Sequence, residues 1–355
     1  RLPREVMRTE IQSLLDDNIT VRCGTRLGRD IEIDELFKDG FKAVFLALGA
    51  DKSWRLELDG EDTEGVYPSM EFLKAFNLRG QELAKGRVGI IGGGNSAVDA
   101  ARVAIRQKGV ENVALLYRRA HREMPAFAEE VEAALEEGIK LETLVSPVKI
   151  RYIEAAEAEG VKVETFVTPI SIDSRNGRLA DIRCIRNKLG EVDTSGRRKP
   201  IPIPGSEFTL PLDTLIVAIG ERPDSDCLGE MGLKLGKSGR LHVDPETFST
   251  NKEGVFAGGD LVTGPNTVVD AIAAGTKAAR IIDRYLRGEE LREKPKPNLP
   301  SVFIPPADVS DEELQNARRA EPASLPGELR KESFTEVETS LTAEQAIREA
   351  RRCLR

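Results

Sequence analysis

The sequence predicts an α/β protein built on parallel sheets, and three observations carry that prediction. Short apolar runs alternate with amphipathic stretches along most of the chain, several runs end at a glycine, and the intervals between them are long enough for crossover helices. The chain has 355 residues, enough for about two to three domains of ordinary size, and can bury roughly 75% of its unfolded surface.

The elements follow in order. Pro3 suits the first turn of a helix that carries Val6, Met7, Ile11, Leu14 and Leu15 at helical spacing. The chain starts on Arg1 and directly on this helix, so further residues are expected before it. Residues 19–22 read as a strand, 34–37 as a turn of helix and 43–48 as a strongly apolar strand. A second unit follows as βαβαβ, with strands at 88–91, 113–117 and 139–143 and helices over 94–107 and 125–137. Residues 161–167 and 179–186 flank the turn pair Asn176-Gly177 and predict an antiparallel hairpin or meander laid on that unit. Strands at 212–219 and 254–257 and a helix over 267–286 return to the α/β pattern. After Arg287, Pro295, Pro297, Pro300, Pro305, Pro306, Pro322 and Pro326 interrupt a charged stretch that reads as an extended tail, closed by a helix over 342–352.

Composition narrows the function classes. The 52 Lys and Arg against 60 Asp and Glu leave a formal charge of -8, which argues against nucleic acid or an anionic membrane as partner. No apolar run approaches the roughly 18 residues of a membrane span. Cys23, Cys184, Cys227 and Cys353 lie far apart with no CxxC among them, which disfavours a disulfide framework or a dithiol loop and fits a reducing cytoplasm. His121 and His242 are too few for a His-rich metal centre.

The strongest motif is VGIIGGGNSAVDAAR, residues 88–102. An apolar strand runs into Gly92-x-Gly94-x-x-Ala97 and on into a helix. Gly92 permits the tight turn, Gly94 removes the side chain where a pyrophosphate meets the backbone, and Ala97 lets the helix pack closely on the strand. The helix N-terminus, from Asn95, then offers free N–H groups to the phosphates. At the end of the next strand an acidic residue would hold a ribose 2′-OH, whereas this sequence has Tyr117-Arg118-Arg119. Two guanidiniums suit a 2′-phosphate, so NADPH is expected, with NADH the alternative; the bland reading is a solvated basic patch, or pairing with Glu123, Glu129 or Glu130.

A second constellation is GVFAGGD, residues 254–260, ahead of an Ala- and Gly-rich helix. Gly259 lets backbone approach a ligand, Asp260 can accept from a ribityl hydroxyl, and the N–H groups near Thr267 and Val268 lie where a helix dipole stabilises negative charge. Taken alone it is a tight turn with a capping Asp. Two further strands stop at Gly49 and Gly220, which read either as plain turns or as places where the chain passes a cofactor.

Together with RLPREV at the start, IGERPD at 219–224 and REMPAF at 122–127, these motifs resemble the flavoprotein reductases with two dinucleotide-binding domains. The subgroup is that of the NADPH-oxidising small subunit of glutamate synthase and its iron–sulfur relatives. The resemblance covers residues 1 to about 287. It implies two Rossmann-like, glutathione-reductase-like domains, with the NAD(P) domain over 79–209 inserted in a flavin domain of 1–78 and 210–287, and a tail over 288–355. It further implies FAD held through Gly49, Gly220, Gly259, Asp260, Thr267 and Val268, and NADPH held through Gly92, Gly94, Asn95, Ala97, Arg118 and Arg119. Hydride transfer depends on stacking and orientation, so no catalytic acid or base is expected.

The FAD pyrophosphate fingerprint and four-iron four-sulfur cluster cysteines of the subgroup do not occur in the sequence; the first is expected in a preceding segment, the clusters in flanking segments or a partner. Cys353 is a candidate first ligand of such a cluster. The expected partner is an electron-accepting iron–sulfur protein or a larger catalytic subunit. The alternative is a subunit that binds nucleotide to regulate or stabilise an assembly without turnover. A disulfide reductase of the same superfamily requires a CxxC, which is absent from the sequence.

Overall fold

The structure, a computed structural model, describes residues 4–120, 123–144, 167–193, 196–236, 238–292, 319–320, 322–331 and 333–351. It divides into a unit of residues 24–292 and a unit of residues 1–23 with 293–355. In the latter, helix α1 (Arg4–Leu14) buries none of its residues. The expected strand at 19–22 is not formed. Near the other end, Ala343–Ala350 form a helix whose Thr342 and Gln345 make reciprocal cap bonds, close to the expected helix over 342–352. Cys353 lies outside the described residues.

In the larger unit, α2 (Ile33–Lys38) precedes β1 (Val44–Leu46), β2 (Lys52–Ser53) and β3 (Val66–Pro68). Helix α3 (Ser69–Arg79), β4 (Gly86–Ile91), α4 (Asn95–Ala104), β5 (Val110–Ala120), α5 (Ala128–Glu136) and β6 (Lys140–Leu144) follow. Then come β7 (Val167–Arg175), β8 (Arg178–Val192), β9 (Arg198–Pro202), β10 (Phe208–Pro211), β11 (Thr214–Val217) and β12 (Glu221–Arg222). Helix α6 (Asp226–Glu230), β13 (Val255–Ala257), α7 (Asp260–Thr263) and α8 (Val268–Leu286) close the unit. The 161–167 strand falls outside the described residues except for Val167.

The central sheet has the order β3-β11-β4-β5-β6 and is parallel in every pair. Two of its strands lie in segments read from sequence as parts of the flavin domain: β3 and β11 pair in the sheet of the glycine fingerprint. Tertiary bonds decide that pairing. The Thr214 hydroxyl accepts from Lys85 N–H and donates to Lys85 O, and Arg87 grips Asp213 through Nε and a terminal nitrogen at 2.8 and 3.1 Å.

The sheet is sandwiched. On one face Val88, Ile90, Val113, Leu115 and Ile216 pack on the alanine-rich side of α4, where Ala97, Ala100, Ala101 and Ala104 are buried. On the other, Ile91, Leu116, Leu215 and Val217 pack on Ile172, Leu179 and Ile182 of the antiparallel meander β10-β8-β7, which covers the unit as the hairpin signal predicts. Asn176 and Gly177 have φ of 54° and 78°, the left-handed pair that a two-residue hairpin turn requires. Cys184 lies buried within this layer, and burial pushes its thiol up to about 12, which disfavours the thiolate.

The flanking region holds a second parallel pair, β1 with β13, over a core of Ile33, Leu46, Leu228, Leu241 and Leu261. An antiparallel ribbon, β2 with β12, joins the two parts of the unit. Trp54 N–H donates to Gly220 O at 2.9 Å, and Arg222 stacks on the Trp54 ring at 5.4 Å.

Candidate functional site

Strand β4 ends against β11, and the chain turns at Gly92, where φ is 148° and Gly92 N–H donates to Leu116 O. A Cβ at Gly92 would lie 2.1 Å from Ala218 O, and one at Gly93 would lie 2.5 Å from the Tyr117 ring. At Gly94 a Cβ would meet nothing closer than Pro125 Cγ at 4.0 Å. The space over the helix N-terminus is therefore open, while the turn beneath it is closed to any side chain. Gly94 is the cap residue of α4 and supplies no capping side chain, so the first-turn N–H groups face an approaching ligand with the positive end of the helix dipole. Ala97 is fully buried against the strand and is the small residue this packing needs. We predict that Gly92→Ala costs about 1–3 kcal/mol of stability through overpacking. The same variant should lose pyridine-nucleotide binding in a fluorescence titration.

Asn95 accepts from Phe127 N–H at 3.0 Å through Oδ1, and Ala126 N–H donates to Gly93 O at 3.1 Å. Tyr117 donates to Glu123 O at 2.8 Å. These bonds hold residues 123–127 beside the fingerprint. The side chain of Asn95 is thereby committed to the loop, leaving its backbone N–H for a phosphate. Sequence reasoning gave the loop no role; the run REMPAF was its only trace.

The two arginines separate. Arg118 is exposed at the carboxyl end of β5. Its pKa is lowered by loss of hydration and by the like charges of Arg119 and Arg197, so an anion arriving there relieves repulsion. Arg119 is 5% exposed, pairs with Asp193 at 2.8 Å and donates through Nε to Arg198 O at 2.7 Å. The fork of Arg119, expected from sequence to meet a nucleotide phosphate, is engaged here by the β8–β9 turn, which leaves Arg118 as the exposed member of the pair. His121 and Arg122 lie outside the described residues.

The second loop leaves β13 through Gly258, where a Cβ would lie 3.0 Å from Phe45 Cζ, and Gly259, at φ 67°. Asp260 accepts from Asn266 N–H at 3.2 Å, and its carboxyl is raised, first by desolvation and further by Asp270. Thr267 caps α8 by accepting from Asp270 N–H, and donates to Asp270 Oδ2 at 2.5 Å. Val268 is 76% exposed, and Val269 and Ile272 beside it are similarly bare, so this helix end is uncovered. Around Gly49, at φ 70°, no atom lies within 4 Å of where a Cβ would stand, and Gly220, at φ 125°, faces Trp54 Cδ1 at 3.4 Å. Among the described residues, no group of three or more His, Cys, Asp or Glu could hold a metal ion. Among the same residues, no helix is long and apolar enough to cross a membrane.

A glycine turn entering a helix at the carboxyl edge of a parallel sheet, joined by a ribbon to a second parallel pair with its own glycine loop, is the architecture of the two-nucleotide reductases. The chain belongs to the pyridine nucleotide-disulphide oxidoreductase family, whose model matches residues 5–275. It is similar to the NADP(+)-dependent formate dehydrogenase subunit beta of Moorella thermoacetica, with 38% identity over 100% of this chain and 48% of that protein. It is also similar to the glutamate synthase [NADPH] small chain of Escherichia coli, with 34% identity over 81% of this chain and 59% of that one. The chain thus spans about half the length of such relatives. Its fold resembles that of FprA from Mycobacterium tuberculosis in complex with NADPH, at a TM-score of 0.59 and 20% identity, covering 80% of this chain and 72% of that one.

Proposed function

We propose that this chain is the flavin- and nicotinamide-binding part of an NADPH-oxidising electron-transfer protein. The observation that carries the reading is the loop at Gly92: closed to side chains below, open above at Gly94, and followed one strand later by the exposed Arg118. Gly92, Gly94 and the N–H groups from Asn95 would hold the pyrophosphate of NADPH, and Arg118 would read its 2′-phosphate.

The residues of the second loop fit a flavin. Gly259 clears the backbone, Asp260 can accept from a ribityl hydroxyl, and the N-terminus of α8 at Thr267 and Val268 can stabilise negative charge on a reduced ring. When bound, the flavin supplies a hydride acceptor. Among the described residues β1 and β13 form a two-stranded pair, below the size of a stable sheet. We propose that a flanking segment supplies the flavin pyrophosphate fingerprint and further strands beside this pair. The domain assignment of flavin over 1–78 and 210–287 with NADPH over 79–209 is kept for the ligands, with β3 and β11 contributing to the NADPH sheet.

Two relatives are named as subunits beta of an NADP(+)-dependent formate dehydrogenase and an NADPH-Fe(3+) oxidoreductase, and a third as a small chain. These names support a partner subunit; we further propose that it is an electron-accepting iron–sulfur protein or a larger catalytic subunit, with clusters held there or in flanking segments, in a cytoplasmic setting. Anaerobic addition of NADPH to the complete protein should bleach its flavin absorbance. A flavin-loaded preparation that keeps its absorbance under NADPH would defeat the reading.

A further inference from the structure

Three buried side-chain polar atoms among the described residues lack a hydrogen-bond partner: Gln107 Nε2, Asn187 Oδ1 and Glu221 Oε1. The first two are the second ends of amides whose other ends are engaged. Gln107 accepts from Ala84 N–H at 2.7 Å, and Asn187 donates to Thr168 at 2.8 Å. Glu221 differs, because its idle atom belongs to a carboxylate and no described residue donates to it. A carboxylate oxygen removed from water without a donor is unfavourable, and such a group persists where something outside the fold completes it.

The position of Glu221 indicates what that donor is. It opens β12, the return strand of the ribbon, and pairs with Ser53 across it. It follows Gly220, whose φ of 125° admits no ordinary side chain. It also stands three residues after Ala218, whose carbonyl closes the floor of the Gly92 turn, a separation of about 10 Å at most along an extended chain. A dinucleotide whose pyrophosphate rests on Gly92 has one end at Arg118, on the far side of β4 from β11. Its other end would then pass the carboxyl end of β11, the strand that the chain leaves four residues before Glu221. That other end is a pyridine ring whose carboxamide carries two N–H donors and needs an acceptor to fix which face of the ring is presented.

We propose that Glu221 Oε1 accepts a hydrogen bond from the carboxamide N–H of the nicotinamide, making Glu221 the residue that orients the ring for hydride transfer. The inference rests on the reading of the Gly92 loop as the NADPH site. It assigns to the ribbon a binding role beyond joining the two parts of the unit.

The test uses the complete protein and two reduced dinucleotides, NADPH and its 3-acetylpyridine analogue, in which a methyl ketone replaces the amide and offers no N–H. Glu221→Leu should weaken NADPH binding by about 10- to 100-fold, the range for a buried hydrogen bond to a charged group. The analogue should change by less than about twofold. Glu221→Gln keeps an acceptor oxygen and should recover most of the NADPH affinity. Because Oε1 has no partner among the described residues, the Leu variant should melt no lower than the parent. Equal losses for both dinucleotides, no loss for either, or a Gln variant as weak as Leu would overturn the inference while leaving the NADPH site itself standing. Failure of the parent protein to bind NADPH would overturn both.

Discussion

Replacing Glu137 by Ala is expected to cost about 3–5 kcal/mol of unfolding free energy, the penalty for taking a counter-ion from buried charges. Glu137 is wholly buried between α4 and the end of α5. It accepts from Arg102 Nε at 3.0 Å on both oxygens, from a terminal nitrogen of Arg102 at 2.5 Å and from Arg106 at 2.6 Å. Arg102 also pairs with Glu130 at 2.8 Å. Removing the carboxylate takes the shared counter-ion from two guanidiniums, Arg102 on the helix that follows the glycine fingerprint and Arg106 just past its end. Urea denaturation at neutral pH measures the loss, and a change below about 1 kcal/mol would contradict it. The pair also sets a pH dependence. Burial by itself would raise the Glu137 carboxyl, but hydrogen bonds and charge from Arg106 and Arg102 outweigh it and hold the group below its ordinary value. A depressed folded value means that the stabilisation is fully present above the unfolded pKa of about 4.3 and is lost as pH falls through the folded value. Parent and Glu137→Ala stabilities should therefore converge in acid.

The second large effect separates two adjacent arginines. Arg118→Ala should weaken NADPH by about 10- to 100-fold and leave NADH within about twofold, because it removes the exposed partner of the 2′-phosphate. Arg119→Ala should do the reverse. It removes the buried cation that holds Asp193 and costs about 3 kcal/mol of stability, with the NADPH-to-NADH preference retained. Titration of both nucleotides with each variant, beside a melting curve, checks the pair. An Arg119 variant that loses discrimination at full stability would return Arg119 to the nucleotide.

These two cases show what a sequence can and cannot convey about such a site. The turn at Gly92 was legible because its requirements are local: an apolar strand, glycines at fixed offsets and an alanine-faced helix follow one another within the run 88–102. The hairpin at Asn176-Gly177 was legible for the same reason. The role of Arg119 was not, because its partner lies 74 positions away and β5 carries a register irregularity between Leu116 and Ala120. That irregularity breaks the alternation by which inward and outward residues are told apart. The place of β11 was hidden likewise. Its apolar run fits either sheet, and only Asp213 and Thr214, bonded to Arg87 and Lys85 more than a hundred residues earlier, select one. Glu221 stood in the sequence only as one letter of the run IGERPD with no role attached to it, since an unpartnered atom is visible only once its surroundings are built.

The central claim is that NADPH lies on the Gly92 loop and a flavin on the Asp260 loop so that the two rings meet within residues 24–292. The most direct measurement is an experimental structure of the complete protein with FAD and NADP(+) bound. The account predicts the pyrophosphate against Gly92 to Asn95, the 2′-phosphate at Arg118 and the pyridine ring stacked on the flavin beside the β2–β12 ribbon. A pyridine nucleotide bound away from the Gly92 turn, or two rings held in clefts that do not communicate, would contradict it.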